Sequence, residues 1–158
     1  KIVLPELQMT LLDSIQKRTN FLIEVANELE LKGLEIINGR AEELGHERDH
    51  REQYDVVTAR AVARLTELAE LTIPFANIGG TVILPKSQGV EDEVIEAAGA
   101  AEILGAAPAL TLTVSKPGNS PPDDMVYWMK ISPTPQEFPR KVGVPHQSPL
   151  VERSAEND

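Results

Sequence analysis

Apolar positions along the chain fall into two alternating rhythms. LQMTLLD, Leu7 to Asp13, is a short and almost continuous apolar run, the pattern of a strand buried on both faces. After Ser14, a suitable N-cap, Ile15, Thr19, Leu22, Ala26 and Leu29 recur at steps of three and four and define one helical face. Lys32-Gly33 supplies a C-terminal glycine stop, and LEII, Leu34 to Ile37, a second strand. Asn38 to Gln53 is polar and reads as a loop with room for one helical turn. YDVVTA, Tyr54 to Ala59, is a third strand by its β-branched content. Leu65, Leu68, Ala69 and Thr72 then mark a second amphipathic helix, which Pro74 ends or kinks. Gly79-Gly80 is expected to turn the chain into a fourth strand, TVIL, Thr81 to Leu84, and a Glu- and Ala-rich helix runs from Val90 to Leu104.

There the rhythm changes. LTLTV, Leu110 to Val114, and MVYWMKI, Met125 to Ile131, are strands joined by SKPGNSPPDD, which leaves no room for a crossover helix, so the pair is expected to be antiparallel. The stretch 132–158 carries five prolines, few apolar residues and the acidic end ERSAEND; it is expected to be an ordered arm at most, then a frayed tail. Alternating strand and helix closed by an antiparallel pair specifies an α/β fold of three layers with a mainly parallel sheet, occupying residues 1–131.

Ligands of such open sheets sit beyond the carboxyl ends of the strands, which directs attention to Asp13-Ser14, to Gly39-Arg40-Ala41-Glu42 and to Arg60-Ala61. A carboxylate in such a place can accept both hydroxyl hydrogens of a ribose. Asp13 equally suits a helix start, where the helix dipole favours an acid. The residues alone leave both readings open.

Composition narrows the chemistry. The chain of 158 residues has no cysteine, which removes disulfides, thiolate metal sites and cysteine nucleophiles. With 15 Lys and Arg against 25 Asp and Glu, the net charge of -10 argues against non-specific coating of nucleic acid, since phosphate binding is driven by cations; local basic patches remain open. No apolar run approaches the roughly 20 residues of a membrane span. A soluble, cytoplasmic protein is the expectation. The first residue is Lys and KIVLPE reads as the end of an element already under way, so the chain is expected to be the carboxyl-terminal part of a longer protein.

Four blocks, LLDSIQKRTNFL (Leu11 to Leu22), GRAEEL (Gly39 to Leu44), YDVVTARAVARLTEL (Tyr54 to Leu68) and PRKVGVPHQSPL (Pro139 to Leu150), taken in that order, resemble the bacterial 16S ribosomal RNA guanine-N7 methyltransferases, the glucose-inhibited division protein B family. The last block is the loosest, because family members carry a basic residue near His146-Gln147-Ser148. The resemblance implies a Rossmann-like fold dependent on S-adenosylmethionine, with Asp13 and Ser14 at the cofactor ribose, Ala41 and Glu42 beside the adenine, and Arg60 at the cofactor's edge of the active site. It also implies a glycine-rich loop and a strand just before Lys1. That strand would lie between the strands Leu7 to Asp13 and Tyr54 to Ala59, and its loss would open a gap of about 10 Å in the sheet. The 158 residues by themselves are therefore expected neither to fold stably nor to bind the cofactor.

Guanine N7 has an exposed lone pair and no proton, so methylation there needs alignment and no general base, and no residue is assigned as acid or base. The implied partner is 16S ribosomal RNA or the small ribosomal subunit. Candidate phosphate contacts are Lys17-Arg18, Arg64, Lys86 and, foremost, Arg140-Lys141; Tyr127 or Trp128 could stack on a base, although strand alternation buries one of them.

His46-Glu47-Arg48-Asp49-His50 matches the zinc-peptidase pattern of two histidines one turn apart. From Gly45 to Gln53, however, no apolar residue would anchor a helix, so a surface loop without metal is expected. Two rivals remain. A nicotinamide-dependent enzyme would use the same acid at a ribose, and a non-catalytic RNA or protein binding module would keep the fold without the transfer.

Overall fold

The computed structural model describes residues 1–60, 62–118 and 120–150. Ala61, Asn119 and the end 151–158, where fraying is expected, lie outside the described residues. The chain divides into two compact units, residues 1–41 and residues 42 onward.

In the first unit β1 (Met9–Asp13) and β2 (Leu34–Asn38) pair in parallel, from Met9 opposite Leu34 to Asp13 opposite Asn38, and α1 (Gln16–Glu28) crosses between them. The start of α1 is fixed by Asp13 and not by Ser14: the Ile15 N–H donates to Asp13 Oδ1 at 2.8 Å, an Asx-type turn that takes the capping role expected of the serine. β1 is half-buried along its length instead of buried on both faces. On the expected apolar face of α1, Thr19 is buried and Leu22 and Ala26 are half-buried, but Ile15 and Leu29 lie open. Two strands and one helix provide too little area within this unit to enclose them.

The second unit holds a four-stranded sheet in the order β3-β4-β6-β5, with β3 (Tyr54–Thr58), β4 (Ala76–Ser87), β5 (Leu110–Val114) and β6 (Asp123–Met129). β3 is parallel to β4, whereas β6 runs antiparallel to both β4 and β5, as the short β5–β6 connection requires. β4 begins earlier than its apolar run. Gly79 and Gly80 lie inside it and form no turn, and the register against β3 shifts between Tyr54 and Val56. Glycine permits this irregularity: Gly79 has φ +89°, and a Cβ on Gly80 would stand 2.9 Å from the Tyr54 carbonyl oxygen of the neighbouring strand.

Short α2 (Ala41–Leu44) precedes β3; α3 (Leu65–Thr72), followed by a 3₁₀ turn at Ile73–Phe75 where Pro74 ends the helix, packs on α4 (Glu91–Ile103). Ala97, Ala100 and Ala101 let α4 approach closely, and with Leu65, Leu68, Ile73, Val82, Leu84, Leu104, Val126 and Trp128 they form the core on one face of the sheet. Strand alternation places Trp128 in that core and Tyr127 on the other face. This second face stays open, with Val56, Leu110, Leu112 and Met129 each more than half exposed. Beyond β6 the arm is ordered through α5 (Val144–Gln147).

Candidate cofactor and nucleic-acid site

The carboxyl ends of β1 and β2 meet in the first unit. The Asp13 carbonyl accepts from the Gly39 N–H at 3.2 Å and from Asn38 Nδ2 at 3.1 Å, and Arg40 Nη1 donates to Ser14 Oγ at 3.3 Å. Asp13 therefore presents a carboxylate with one oxygen fixed by backbone; the other carries a long 3.3 Å ion pair to Arg18, whose side chain is two-thirds exposed. An ion pair so open to water holds its carboxylate weakly. A concavity of about 530 Å³ in this unit lies at the opposite, amino ends of the strands, lined by Ile2, Pro5, Gln8, Leu29 and Gly33.

In the second unit the polar segment before β3 meets the proline-rich arm. Arg51 donates from its guanidinium to the carbonyls of Gly45, Phe138, Thr134 and Pro135, at 2.6 to 3.1 Å. Glu52 Oε1 accepts from the Thr134 N–H at 2.7 Å, and Glu42 Oε1 from the Gly143 N–H at 3.0 Å. Glu70, wholly buried on α3, takes Arg140 through both the backbone N–H and a bidentate guanidinium, the shortest ion-pair distance being 2.6 Å. Lys130 is buried among the Leu104 carbonyl, Thr134 Oγ1 and Glu52; burial pulls its ammonium below the ordinary lysine range, and Glu52 counters only part of that.

Of the residues singled out in the sequence, Ala41 is half-buried at the start of α2, Glu42 is buried, and Arg60 stands exposed after β3. The candidate cations divide. Arg140 is bound to Glu70 and also donates to the Ser148 carbonyl at 2.9 Å. Lys86 lies 2.8 Å from Glu93 and donates to the Ala63 carbonyl. Burial alone would raise the Glu93 carboxyl, but the Lys86 hydrogen bond, the Leu65 N–H and the charges of Lys86 and Arg64 together hold it below the usual carboxylate range. Arg64 pairs with Glu96 at 2.7 Å on open surface, and Lys141 is exposed.

Arg51 and Lys130 escaped sequence reasoning, as did the arm-holding role of Glu70. The available signal was an isolated charge within an apolar pattern: Glu70 in the apolar helix LAEL, Lys130 in the strand MVYWMKI. The two histidines go to separate partners. His46 Nε2 lies 2.6 Å from the Pro139 carbonyl and His50 Nδ1 lies 2.7 Å from Tyr54 Oη, and the segment carrying them is a run of turns, not the helix a zinc pair needs.

The family model described as "GidB: rRNA small subunit methyltransferase G" matches residues 1–119. The chain belongs to this family. A curated relative, the "Ribosomal RNA small subunit methyltransferase G" of an Exiguobacterium strain, is 43% identical over 151 residues, 96% of this chain and 63% of its own length. The chain thus spans about 63% of the relatives it matches. Among solved structures, an rRNA methylase from Streptococcus thermophilus aligns with TM-score 0.54 and 16% identity over 82% of this chain and 78% of that one. A mutant of MtNAS, in complex with S-adenosylmethionine, aligns with TM-score 0.55 and 14% identity over 83% and 49%. At such identities the likeness concerns the fold alone, and that fold is the Rossmann-like one of S-adenosylmethionine-dependent methyltransferases, as the methyltransferase G family requires.

Proposed function

We propose that the protein carrying this chain transfers a methyl group from S-adenosylmethionine to N7 of a guanine in 16S ribosomal RNA, free or within the small subunit. The observation that carries the reading is the methyltransferase G family match over residues 1–119, which includes the strand-end acid Asp13. S-adenosylmethionine supplies an electrophilic methyl group when bound.

The donor set suits it. Asp13 Oδ1 is oriented by the Ile15 N–H, and its other oxygen exchanges a solvent-exposed guanidinium for a ribose hydroxyl at little cost. Ser14, beside it, contributes a hydroxyl to the same ribose. Ala41 offers a small apolar surface to the adenine, with Glu42 next to it, and Arg60 stands at the edge of the active site. For RNA, Lys141 and Arg64 are exposed cations that take phosphate; Arg140 and Lys86, held by Glu70 and Glu93, support them by fixing the arm and the segment after β3. The protein's work is to orient N7 and exclude water, because N7 carries no proton to remove.

The test is transfer of labelled methyl from S-adenosylmethionine to small-subunit RNA by the full-length protein, with the product mapped to guanine N7. Incorporation at N7 is expected. A folded protein that binds this RNA but transfers nothing to any ribosomal substrate would instead be a non-catalytic binding module.

A further inference from the structure

A second concavity lies entirely within the second unit. Val62, Ala63, Arg64, Thr66, Glu67, His146 and Pro149 enclose about 260 Å³ between the segment after β3, the first turn of α3 and the arm. We infer that this concavity seats the target guanine, with the Glu67 carboxylate reading its Watson–Crick edge; the inference rests on the methyl transfer proposed above.

Glu67 differs from the other acids that meet the arm. Glu42, Glu52 and Glu70 accept from backbone N–H groups or from a guanidinium held at both ends, and they fasten the arm to the body. Glu67 has its Oε2 3.0 Å from Nδ1 of His146, an imidazole that is 79% exposed at the rim of the concavity. Such a pair contributes little to stability. The backbone beneath His146 is fixed by buried Pro145 and by the Glu42 contact to Gly143, so the imidazole leaves by a rotamer change alone. What it uncovers is a carboxylate whose side chain is 17% exposed, at the mouth of a base-sized space whose lining includes the apolar Val62, Ala63 and Pro149.

A carboxylate offers two acceptors and no donor. Among the four RNA bases only guanine presents two adjacent donors, N1–H and the 2-amino group, on its pairing edge. Adenine and cytosine place an acceptor beside their amino group, and uracil flanks its single N–H with carbonyls. Held by this edge, guanine turns N7, on the far side of the ring, outward. Methylation leaves the ring cationic and makes N1–H a stronger donor, so the contact to Glu67 tightens as the methyl group is transferred. That is a preference for the transition state over the ground state. Arg64, on the same rim and paired with the exposed Glu96, is placed to meet the phosphate of the seated nucleotide.

The experiment uses the full-length protein and small-subunit RNA in which the mapped target guanosine is replaced, by ligation of a synthetic segment, with inosine. Inosine keeps N7 and N1–H and lacks the 2-amino group. With the unmodified protein, kcat/KM on inosine is expected to be about ten- to a hundredfold lower than on guanosine, the loss of one hydrogen bond to a charged acceptor. In Glu67→Gln, whose cofactor affinity and thermal unfolding are measured alongside, the rate on guanosine falls and the guanosine-to-inosine ratio collapses toward one. Equal rates on both RNAs with the unmodified protein, or an unchanged ratio in Glu67→Gln, would overturn the inference while leaving N7 transfer in place. Absence of transfer to the guanosine RNA would bring down the reading beneath it as well.

Discussion

At the scale of single residues, Arg51 does more than its position in a polar stretch suggests. Its guanidinium satisfies four carbonyls of two segments distant in sequence, a task for which its planar fork is suited and a lysine's ammonium is not. Arg51→Ala is expected to lower the unfolding free energy of the full-length protein by about 2–4 kcal/mol in urea titration, with Arg51→Lys recovering less than half. Glu70 carries a comparable load. It is wholly buried, so Glu70→Gln leaves the Arg140 guanidinium without its charge partner, at a cost of about 3 kcal/mol by the same measurement. Glu93 gives a pH signature. Its folded carboxyl titrates below the usual range, so its stabilising contribution is complete above the ordinary carboxylate pKa and is lost as pH falls through the folded value. Urea midpoints measured against pH are expected to drop on the acid side, and Glu93→Gln to flatten that limb. Lys130 has the same sign in a more alkaline range: its lowered value means the unfolded chain holds the proton more tightly, so stability rises as pH climbs toward the ordinary lysine pKa.

At the scale of elements, the apolar rhythm located both helices with a clear period, all six strands and the antiparallel closing pair, because strand and helix periods are properties of local sequence. The features that were not legible depend on what the backbone meets elsewhere. Gly79-Gly80 has the composition of a turn and lies within β4, since its function is to let Tyr54 of β3 approach. The polar stretch 38–53 carries no periodicity, and its structure comes from anchors in the arm, remote in sequence. Among the candidate residues, Asp13 and Arg60 stood out as strand-end residues. Glu67 and His146 did not, because a charge on the first turn of a helix and a histidine in an arm look like solvated surface until folding brings them together. Gly105 closes α4 with the paired hydrogen bonds Ala106 N–H to the Ala101 carbonyl and Gly105 N–H to the Glu102 carbonyl, at φ +90°. A methyl group there would also collide with the Ser132 carbonyl. Gly105→Ala is expected to cost about 2–3 kcal/mol, read as a lowered urea midpoint with an unchanged slope.

At the scale of the whole molecule, the second unit covers one face of its sheet with α3 and α4 and leaves Val56, Leu110, Leu112 and Met129 open on the other. An apolar patch of this kind on a sheet face normally lies against another part of a protein. A polypeptide limited to these 158 residues is therefore expected to bind an environment-sensitive hydrophobic dye, to melt without a sharp transition and to show no micromolar affinity for S-adenosylmethionine by calorimetry. A sharp melt with cofactor binding would contradict this. The clamp around Arg51 bears on biosynthesis. Phe138, whose carbonyl accepts a hydrogen bond from the guanidinium, is added 87 residues after Arg51, and Arg140 joins the chain 70 residues after Glu70. Over those intervals of synthesis the chain carries a cation and a carboxylate whose destined partners do not yet exist. Its final packing must wait until the arm has left the ribosome.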